Sequence, residues 1–375
     1  MKLGILSWIL DRQRTGIDNY LYSIILEMIE AGHANEISLI HYKKTDDLIY
    51  EHVNDIIIPS LPFKLTTPLG MSKAIKNGGI EIFHLPSHWH TQISPFFLNS
   101  TVKKIITVHD IIPLLFRNNL PSEYKYWGPT LKLIKNRTDC IITDSENTKK
   151  DCIKYLNIPE EKIEVIYLAA DKRYNYLKNK QELKDELRFK YNINDLFILY
   201  VGTVESRKNV SLLIKSFHEL KKLGVKHKLV LIGVHGYGSA KIVELVNSLN
   251  LVDDVIFTGY VPDNDLVKFY NTADIFIYPS LYEGFGLTPL EAMACGCPVI
   301  SSNTSSLPEV VGDAGILVDP YDYKILADEI YRLLIDEDLR KELSKKSLQR
   351  SKVFNWKKTA KKTWNVYEKV LDGEK

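Results

Sequence analysis

The sequence predicts an α/β protein of two domains, each with a parallel sheet covered by helices. Short runs of β-branched and apolar residues alternate with segments whose apolar residues recur at helical spacing, which is typical of strands joined by crossover helices. The chain has 375 residues, a length that suits two such domains better than one. The alternation breaks at a charged segment, 171–195, and then begins again, which indicates a boundary.

The first half of the chain predicts strands that are separated by helices. A helix is predicted after the first strand because Leu21, Ile24 and Met28 recur at helical spacing and Gly32 follows as a terminating residue. Ser145 is the predicted N-cap of a later helix. The predicted strands are Leu3–Ile9, Ile37–Tyr42, Ile80–His84, Ile105–His109, Cys140–Thr143 and Ile163–Ile166.

The second half of the chain restarts this pattern without a sequence repeat of fixed period. We expect a first domain over 1–175, completed by a C-terminal helix over 354–375 that crosses back to it. A second domain is expected over 190–350. Its predicted strands are Phe197–Val201, Leu229–Ile232, Val255–Thr258, Ile275–Tyr278 and Val299–Ser301.

The composition favours a soluble globular protein over one that binds nucleic acid or spans a membrane. Apolar residues make up 45% of the chain, and Lys and Arg (49) barely outnumber Asp and Glu (47). Nucleic-acid-binding domains usually need a clear basic excess, and a membrane helix needs an apolar run of about 18 residues that this chain lacks. No signal-peptide cleavage site or cysteine-ligand pattern is found, so we expect a cytoplasmic protein with reduced thiols.

The C-terminal segment predicts a helix with two unlike faces. Trp356, Trp364 and Tyr367 recur at helical spacing and form an aromatic face suited to packing on a domain. A solvated basic face is favoured over contact with a membrane surface, although peripheral contact stays open. The basic face carries Lys357, Lys358, Lys361 and Lys362.

The most informative segment runs from a predicted strand through a glycine-containing loop into a helix. The loop is Glu283-Gly284-Phe285-Gly286, and Thr288 and Pro289 follow as the predicted N-cap and first helical residue. Such a loop lies at the carboxyl end of a strand and the positive end of a helix, where backbone N–H groups suit phosphates. The segment therefore predicts a phosphate-binding turn.

Two glutamates in this segment allow both a binding and a structural interpretation. Glu283 on the loop can accept hydrogen bonds from ligand hydroxyls. Thr288 and Glu291 have the spacing of a capping box, which alone would explain Glu291. Ser306 and Glu309 have the same spacing.

Several motifs resemble one enzyme family. The Glu283 to Glu291 spacing within EGFGLTPLEAMACGCPVI resembles the E-x7-E signature of family 4 glycosyltransferases, the group 1 retaining type. GTVESRKNVSLLIKSF resembles the same family, as do RTGIDNY, ITVHDIIP and ITDSENT more weakly in the first half. The resemblance implies the GT-B fold, in which two Rossmann-like domains face each other across a cleft. The second domain would bind mainly the nucleotide-sugar donor and the first mainly the acceptor.

The resemblance implies a donor-binding role for the glycine loop and the helix that follows it. Glu283 would contact hydroxyls of the donor sugar near the reacting carbon, and Glu291 would hold the ribose hydroxyls. Backbone N–H groups along the loop would follow the sugar and the diphosphate. The loop positions are Gly284, Phe285, Gly286 and Leu287.

A cationic pair is the second predicted part of the donor site. Arg207 and Lys208 follow the predicted strand Phe197–Val201, and fixed cations there would stabilise a departing diphosphate without a metal. Many family members carry an arginine where this chain has Thr203, so the diphosphate contacts go to Arg207 and Lys208. A solvated pair is disfavoured because cations at a helix start oppose the helix dipole.

Two residues of the first half are candidates for the same site. Gly16 follows the first strand and resembles the family glycine that closes over diphosphate and acceptor, or it is an ordinary turn glycine. His109 ends a strand in the VHD match to the family's active-site histidine, and would contact the donor sugar or orient the acceptor. A metal is declined for the group His84, His88 and His90, because no carboxylate or cysteine completes a ligand set. Trp89 could instead stack on an acceptor sugar.

Two other classes of protein are weighed against a transferase. A dinucleotide-dependent oxidoreductase would need G-x-G-x-x-G, whereas Gly233, Gly236 and Gly238 give G-x-x-G-x-G. A sugar-nucleotide epimerase lacks support from the Glu283 segment, and an inactive nucleotide-sugar-binding protein is disfavoured because cations and glutamates are all present.

The motifs look most like bacterial or archaeal mannosyltransferases of surface-polysaccharide assembly, which makes GDP-mannose the first expected donor. UDP-glucose and UDP-N-acetylglucosamine follow as alternatives. The expected reaction is retaining transfer of a hexosyl group to a glycan or lipid-linked glycan, with the nucleotide sugar as a substrate and no cofactor or metal.

Overall fold

The computed structural model describes residues 1–11, 16–43, 47–58, 67–88, 102–116, 136–194, 196–234, 236 and 238–373. The chain divides into two compact units. Unit 1 comprises Met1–Leu168 and Asn355–Lys375, and unit 2 comprises Ala169–Phe354.

Unit 1 contains a sheet in which all described strand pairs are parallel. Its strands are β1 (Leu3–Leu6), β2 (Ile37–His41), β3 (Asn54–Ile57), β4 (Ile82–Leu85), β5 (Lys103–Val108), β6 (Cys140–Thr143) and β7 (Ile163–Val165). They lie in the order β3-β2-β1-β4-β5-β6-β7. Parallel pairing buries β1, β4 and β6 completely, which accounts for their continuous apolar sequences.

The helices of unit 1 follow its strands along the chain, except for the last, which comes after unit 2. They are α1 (Gly16–Glu30), α2 (Thr67–Gly78), α3 (Ile112–Leu115), α4 (Glu146–Leu156) and the C-terminal helix (Trp356–Asp372). The predicted N-cap of α4 is confirmed, because Ser145 Oγ accepts the Thr148 N–H at 3.0 Å. The C-terminal helix returns to unit 1 as expected, and its Trp364 ring stacks on His33 of unit 1 with ring centres 3.7 Å apart.

Unit 2 contains the second parallel sheet. Its strands are β8 (Phe197–Val201), β9 (Lys228–Ile232), β10 (Val255–Gly259), β11 (Ile275–Tyr278), β12 (Val299–Ser302) and β13 (Ile316–Val318). They lie in the order β10-β9-β8-β11-β12-β13. The helices are α5 (Lys180–Tyr191), α6 (Val210–Lys222), α7 (Ser239–Ser248), α8 (Asp263–Thr272), α9 (Leu287–Ala294), α10 (Leu307–Val311), α11 (Tyr323–Ile335) and α12 (Glu337–Ser351).

The predicted α/β class with parallel sheets is confirmed, and the differences lie at weak strands. The first strand ends at Leu6 rather than Ile9, because Trp8–Asp11 forms a 3-10 turn. β3 and β13 were not predicted: β3 is mostly exposed and begins with the polar residues Asn54 and Asp55, and β13 has only three residues.

Two further features concern the state of the cysteines and the apolar character of the helices. Cys140, Cys152, Cys295 and Cys297 are buried free thiols. Across the described ranges, no helix is both long enough and apolar enough to cross a membrane.

Candidate functional site

The centre of the unit 2 sheet contains a topological switch point. From β8 the chain continues to β9 and β10 on one side, whereas β11 lies on the other side and leads to β12 and β13. In open α/β sheets, ligands bind beyond the carboxyl ends of the strands at such a point. Arg207 and Lys208 follow β8, and Glu283 follows β11. The topology therefore brings the predicted cations and the loop glutamate to one edge of the sheet.

One carboxylate oxygen of Glu283, Oε1, collects most of the contacts at this edge. Lys208 Nζ donates to it at 2.7 Å and Arg207 Nη1 donates at 3.1 Å. The hydroxyls of Ser280 and Tyr278 donate to the same oxygen at 2.6 and 3.1 Å. Glu283 is 9% exposed, and no residue within the described ranges donates a hydrogen bond to Oε2. The carboxylate is thus fixed through one oxygen, and the other can take a further donor.

Burial and charge act in opposite directions on this ion pair. Desolvation by burial raises the pKa of Glu283, but the charges of Lys208 and Arg207 outweigh it and lower that pKa from 4.5 to about 2. Desolvation also lowers the pKa of Lys208, although the Glu283 charge opposes this. Glu283 is therefore ionised throughout the neutral pH range and acts there only as a hydrogen-bond acceptor.

The guanidinium of Arg207 is held by protein groups on both sides. Nη1 also donates to the Tyr282 carbonyl at 2.7 Å, and Nη2 donates to Glu205 Oε1 at 2.7 Å. The Arg207 carbonyl accepts the Leu281 N–H at 2.9 Å. Arg207 therefore fastens the loop that carries Glu283 to the end of β8. The alternative of a solvated pair is wrong, because the Arg207 and Lys208 side chains are only 15% and 12% exposed.

The glycine loop enters its helix earlier than predicted. α9 begins at Leu287, and Gly286 is its N-cap with φ of 115°. Thr288 as N-cap and Pro289 as the first helical residue are both wrong, because the positive φ of Gly286 already makes the turn. A Cβ at Gly286 would also lie 3.0 Å from Leu307 Cδ2. The first N–H groups of α9 have no acceptor within the helix, which suits an anionic ligand.

Glu291 does not cap this helix. It is the fifth residue of α9, and its Oε2 accepts the Tyr270 hydroxyl at 3.1 Å. Desolvation raises the pKa of Glu291 to about 8, against the opposing effect of the Tyr270 hydrogen bond. The capping box of Ser306 and Glu309 is also wrong, because Ser306 Oγ donates to backbone carbonyls of the glycine loop.

Thr203 lies between the ends of β8 and β9. The loops after these strands are joined by backbone hydrogen bonds, from Val204 N–H to Val234 O at 3.0 Å and from Gly236 N–H to Val204 O at 3.0 Å. A Cβ at Gly233 would lie 2.1 Å from Gly202 O, so this approach requires glycine. Thr203 is thereby held at the carboxyl edge of the sheet, next to β8.

In unit 1, His109 follows β5 and is fully engaged by protein groups. Its Nδ1 is 2.6 Å from Asp144 Oδ2, and its Nε2 is 2.9 Å from the Pro86 carbonyl oxygen. Desolvation lowers the pKa of His109, but Asp144 outweighs it and the net pKa is raised. A protonated imidazole donates at both nitrogens and so satisfies both acceptors. Contact between this ring and a sugar would require one of these hydrogen bonds to be exchanged.

A buried polar chain connects His84 to the C-terminal helix. His84 Nδ1 is 2.7 Å from the Tyr367 hydroxyl, and His84 Nε2 is 2.9 Å from Thr107 Oγ1. The Tyr20 hydroxyl lies 3.1 Å from the same Thr107 oxygen, and the Tyr20 ring meets His109 edge-on at 5.1 Å. Desolvation lowers the pKa of His84 to about 3, so it is neutral in this network.

The other residues predicted for the site in unit 1 are the histidine group around Trp89 and Gly16. His88 is buried, and Trp89 and His90 lie outside the described residues. Among the residues with described positions, no three His, Cys, Asp or Glu side chains are grouped as a metal site would need. Gly16 is exposed and is the first residue of α1 rather than a loop residue, on the carboxyl side of β1.

Four side chains in these clusters were not predicted from the sequence. Tyr278 and Ser280 bond the Glu283 carboxylate, Tyr270 bonds Glu291 and Asp144 bonds His109. Two of them had a readable signal, because Tyr278 and Asp144 stand where a buried strand ends at the binding edge. Tyr270 gave no signal, since an aromatic residue on a helix is usually part of the core.

The fold and the comparisons with known proteins define a glycosyltransferase. The family model described as Glycosyltransferase Family 4 matches residues 14–173, and that described as Glycosyl transferases group 1 matches residues 183–350. O-antigen chain mannosyltransferase B from Escherichia coli is 30% identical over 94% of this chain and 96% of its own length. The chain therefore belongs to the family 4, group 1 glycosyltransferases, as the motifs suggested.

A second relative and a solved structure agree with this assignment. The serotype-specific mannosyltransferase WbdA from Escherichia coli is 33% identical over 73% of this chain, which spans 34% of that longer protein. Sucrose-phosphate synthase from Thermosynechococcus elongatus has a TM-score of 0.79 at 20% identity, with full coverage of both chains. That likeness confirms the GT-B type of fold alone.

Proposed function

We propose that this enzyme transfers a mannosyl group from GDP-mannose to a glycan or lipid-linked glycan, with retention of the anomeric configuration. The E. coli relatives described above are both named mannosyltransferases, and one is named for the O-antigen chain. The mannosyl group and the acceptor class are inferred from these names, whereas GDP-mannose as the donor and the retaining course are inferred from the motif resemblance to the family.

The observation that carries the proposal is the shared contact of two cations with one oxygen of Glu283. Lys208 and Arg207 both reach Oε1, at the carboxyl edge where β8 and β11 meet. Oε2 would accept a hydroxyl of the donor sugar, and the cations would face the diphosphate next to it. The start of α9 adds N–H groups from Phe285, Gly286 and Leu287 as further donors to the phosphates.

Other positions would complete the donor site. Glu291 would accept the ribose hydroxyls, and Thr203 and Gly284 would border the diphosphate. These assignments are supported by their places at carboxyl strand ends and by the motif matches. His109 would help to orient substrates through the fixed position of its ring, because both ring nitrogens are bonded, to Asp144 and to the Pro86 carbonyl.

The proposed reaction is a same-face substitution at the anomeric carbon. The bond from that carbon to the diphosphate oxygen breaks, and its electron pair leaves with the diphosphate. The acceptor hydroxyl oxygen forms a bond to the carbon on the same face, and its proton passes to a diphosphate oxygen. Lys208 and Arg207 would stabilise the charge that develops on the leaving group, which preorganised cations do efficiently in a partly buried site.

A donor panel tests this proposal. The purified protein is incubated with GDP-mannose, UDP-glucose and UDP-N-acetylglucosamine, and nucleotide release and the anomer of the freed sugar are followed by NMR. We expect GDP release, and freed mannose that first appears with the anomeric configuration it had in the donor. The same assay with Glu283→Gln controls for hydrolysis that does not use the site.

Two results would contradict the proposal. Turnover of a UDP-sugar in preference to GDP-mannose would refute the donor, and first appearance of the inverted anomer would refute the retaining course.

A further inference from the structure

The segment Thr304–Ser306 follows β12 and lies against the loop that carries Glu283. Thr304 Oγ1 donates to the Leu281 carbonyl at 3.2 Å. Ser306 Oγ, which is fully buried, lies 3.0 Å from the Glu283 carbonyl and 2.6 Å from the Phe285 carbonyl. This segment therefore contacts the backbone of the loop over its whole length.

Ser305 also bonds the loop, but as a hydrogen-bond acceptor rather than a donor. Its Oγ accepts the backbone N–H of Glu283 at 3.0 Å. The N–H and the carbonyl of Glu283 are thus bonded to two consecutive serine side chains, while its carboxylate is bonded by residues that follow β8 and β11. The backbone and the side chain of Glu283 are held by separate parts of unit 2.

The backbone of Ser305 is unusual for a serine. Its φ is 54°, in the left-handed region that glycine adopts at least cost. A glycine would relieve this cost but would have no hydroxyl for the Glu283 N–H. Sparsely populated backbone conformations of this kind persist where the surrounding structure fixes them, and they are found preferentially at functional sites.

We propose that Ser305 and Ser306 are positioning residues, which set the place of Glu283 and of the α9 N-terminus relative to the donor. This rests on the proposed function of Glu283. The two serines form hydrogen bonds to main-chain atoms of the loop, so a shift of the segment would move the Glu283 carboxylate and the N–H groups at Phe285–Leu287 together. Small misplacements of reacting groups cost up to about 100-fold in rate.

The test uses Ser305→Gly, because this change removes the hydroxyl and suits the backbone. We expect kcat to fall roughly 10- to 100-fold, with the KM for the donor changed less than about twofold. The melting temperature should change little, because relief of the backbone strain offsets the lost hydrogen bond and the freer unfolded chain. Ser306→Ala is expected to give a similar loss of kcat. Ser347→Ala is the matched control, since Ser347 Oγ is also fully buried and also donates to a carbonyl, that of Ala314 at 3.2 Å.

A second measurement separates positioning from the reaction itself. The Glu283 amide should exchange with deuterium faster in Ser305→Gly than in the wild type, whether or not a donor is turned over. In a Glu283→Gln background, Ser305→Gly should cost little further activity, because the group that it positions is already lost.

Different outcomes overturn different claims. Wild-type kcat in Ser305→Gly, unchanged amide exchange at Glu283, or an undiminished effect in the Glu283→Gln background would each refute the positioning role. A wild type that turns over no nucleotide sugar, with the expected change in exchange, would refute the proposed function and leave the positioning contact standing.

Discussion

Each unit carries a charged cluster at the carboxyl edge of its own sheet. The central group of the cluster is a histidine in unit 1 and a carboxylate in unit 2. In unit 1, a histidine after β5 is held by a carboxylate from the end of β6, and the pKa of His109 is raised. In unit 2, a carboxylate after β11 is held by cations that follow β8, and the pKa of Glu283 is lowered to about 2. Both clusters are buried, and each stabilises one charged group by its immediate neighbours rather than by water.

This difference predicts different responses to pH. The lowered pKa of Glu283 means that its ion pair stabilises the fold above pH 4.5 and is lost only as pH falls towards about 2. The raised pKa of His109 means that its pairing is fully present below its ordinary pKa and is lost as pH rises through the raised value. The Glu283 cluster of unit 2 should therefore respond less to pH around neutrality than the His109 cluster of unit 1.

The largest effect is expected for Glu283→Gln. The change removes the acceptor charge for the donor sugar and the counter-charge of Lys208, so kcat should fall roughly 10³-fold. Asp265→Asn is the matched control, because Asp265 is a buried carboxylate with a pKa of about 2 that bonds Lys190, Tyr191 and Lys268.

The control separates catalysis from folding. Thermal melts should show similar losses of stability for Glu283→Gln and Asp265→Asn, with kcat reduced only in the former. An Asp265→Asn enzyme as inactive as Glu283→Gln would show that loss of any such ion pair, and not the role of Glu283, explains the defect.

A slightly smaller effect is expected for Lys208→Met. Loss of one preorganised cation facing the leaving group should cost about 2.7–4 kcal/mol of transition-state stabilisation, or roughly 10²–10³ in kcat. Lys228→Met offers a comparison, since Lys228 bonds Asp254 at 3.0 Å from the start of β9, away from the carboxyl edge. Equal kcat values for the two variants in steady-state assays would remove Lys208 from the mechanism.

A smaller effect is expected from His109→Gln, and it concerns pH. The wild type should lose more stability between pH 6 and pH 9 than His109→Gln does, because only the wild type loses the charge pair with Asp144. Denaturant unfolding at the two pH values measures this difference. The exposed His52 in the same unit provides His52→Gln as a control, which should behave as the wild type. A wild-type pH response in His109→Gln would contradict the raised pKa.

The smallest effect is expected at Glu291. Its pKa of about 8 means that the folded state binds a proton which the unfolded state releases near pH 4.5, so this group lowers stability as pH rises towards 8. Ribose hydroxyls prefer the ionised carboxylate, so nucleotide binding at pH 7 should release a fraction of a proton. Calorimetry in buffers of different ionisation enthalpy measures this release, and its persistence in Glu291→Gln would assign it elsewhere.

Much of the fold could be predicted from the sequence because buried parallel strands have continuous apolar sequences. β6, β8 and β11 were predicted with their observed bounds, while the exposed edge strand β3 begins with two polar residues and was missed. The edge that carries Arg207, Lys208 and Glu283 was also readable, since strand ends and glycine turns are local signals. The N-cap of α9 was predicted at Thr288, but Gly286, with its positive φ, occupies that position.

Which residues would pair with the site residues could not be predicted, for a different reason. Ser305 lies 22 residues from Glu283, and Asp144 lies 35 residues from His109. Such contacts arise only when neighbouring strands are aligned, and a serine-rich turn gives no periodic signal of what its hydroxyls will meet. Ser306 is an example. Its spacing from Glu309 fits a capping box, but its hydroxyl bonds the carbonyls of Glu283 and Phe285 instead.

The return of the chain to unit 1 for its last helix has a consequence for biosynthesis. Unit 2 occupies Ala169–Phe354 without interruption, whereas unit 1 lacks Trp364 and Tyr367 until the ribosome has passed all of unit 2. At about 5–20 residues per second, the ribosome spends roughly 10–40 s on the intervening stretch. During that interval His84 lacks its hydrogen bond to Tyr367, so unit 1 cannot complete its folding, whereas all residues of unit 2 are already synthesised.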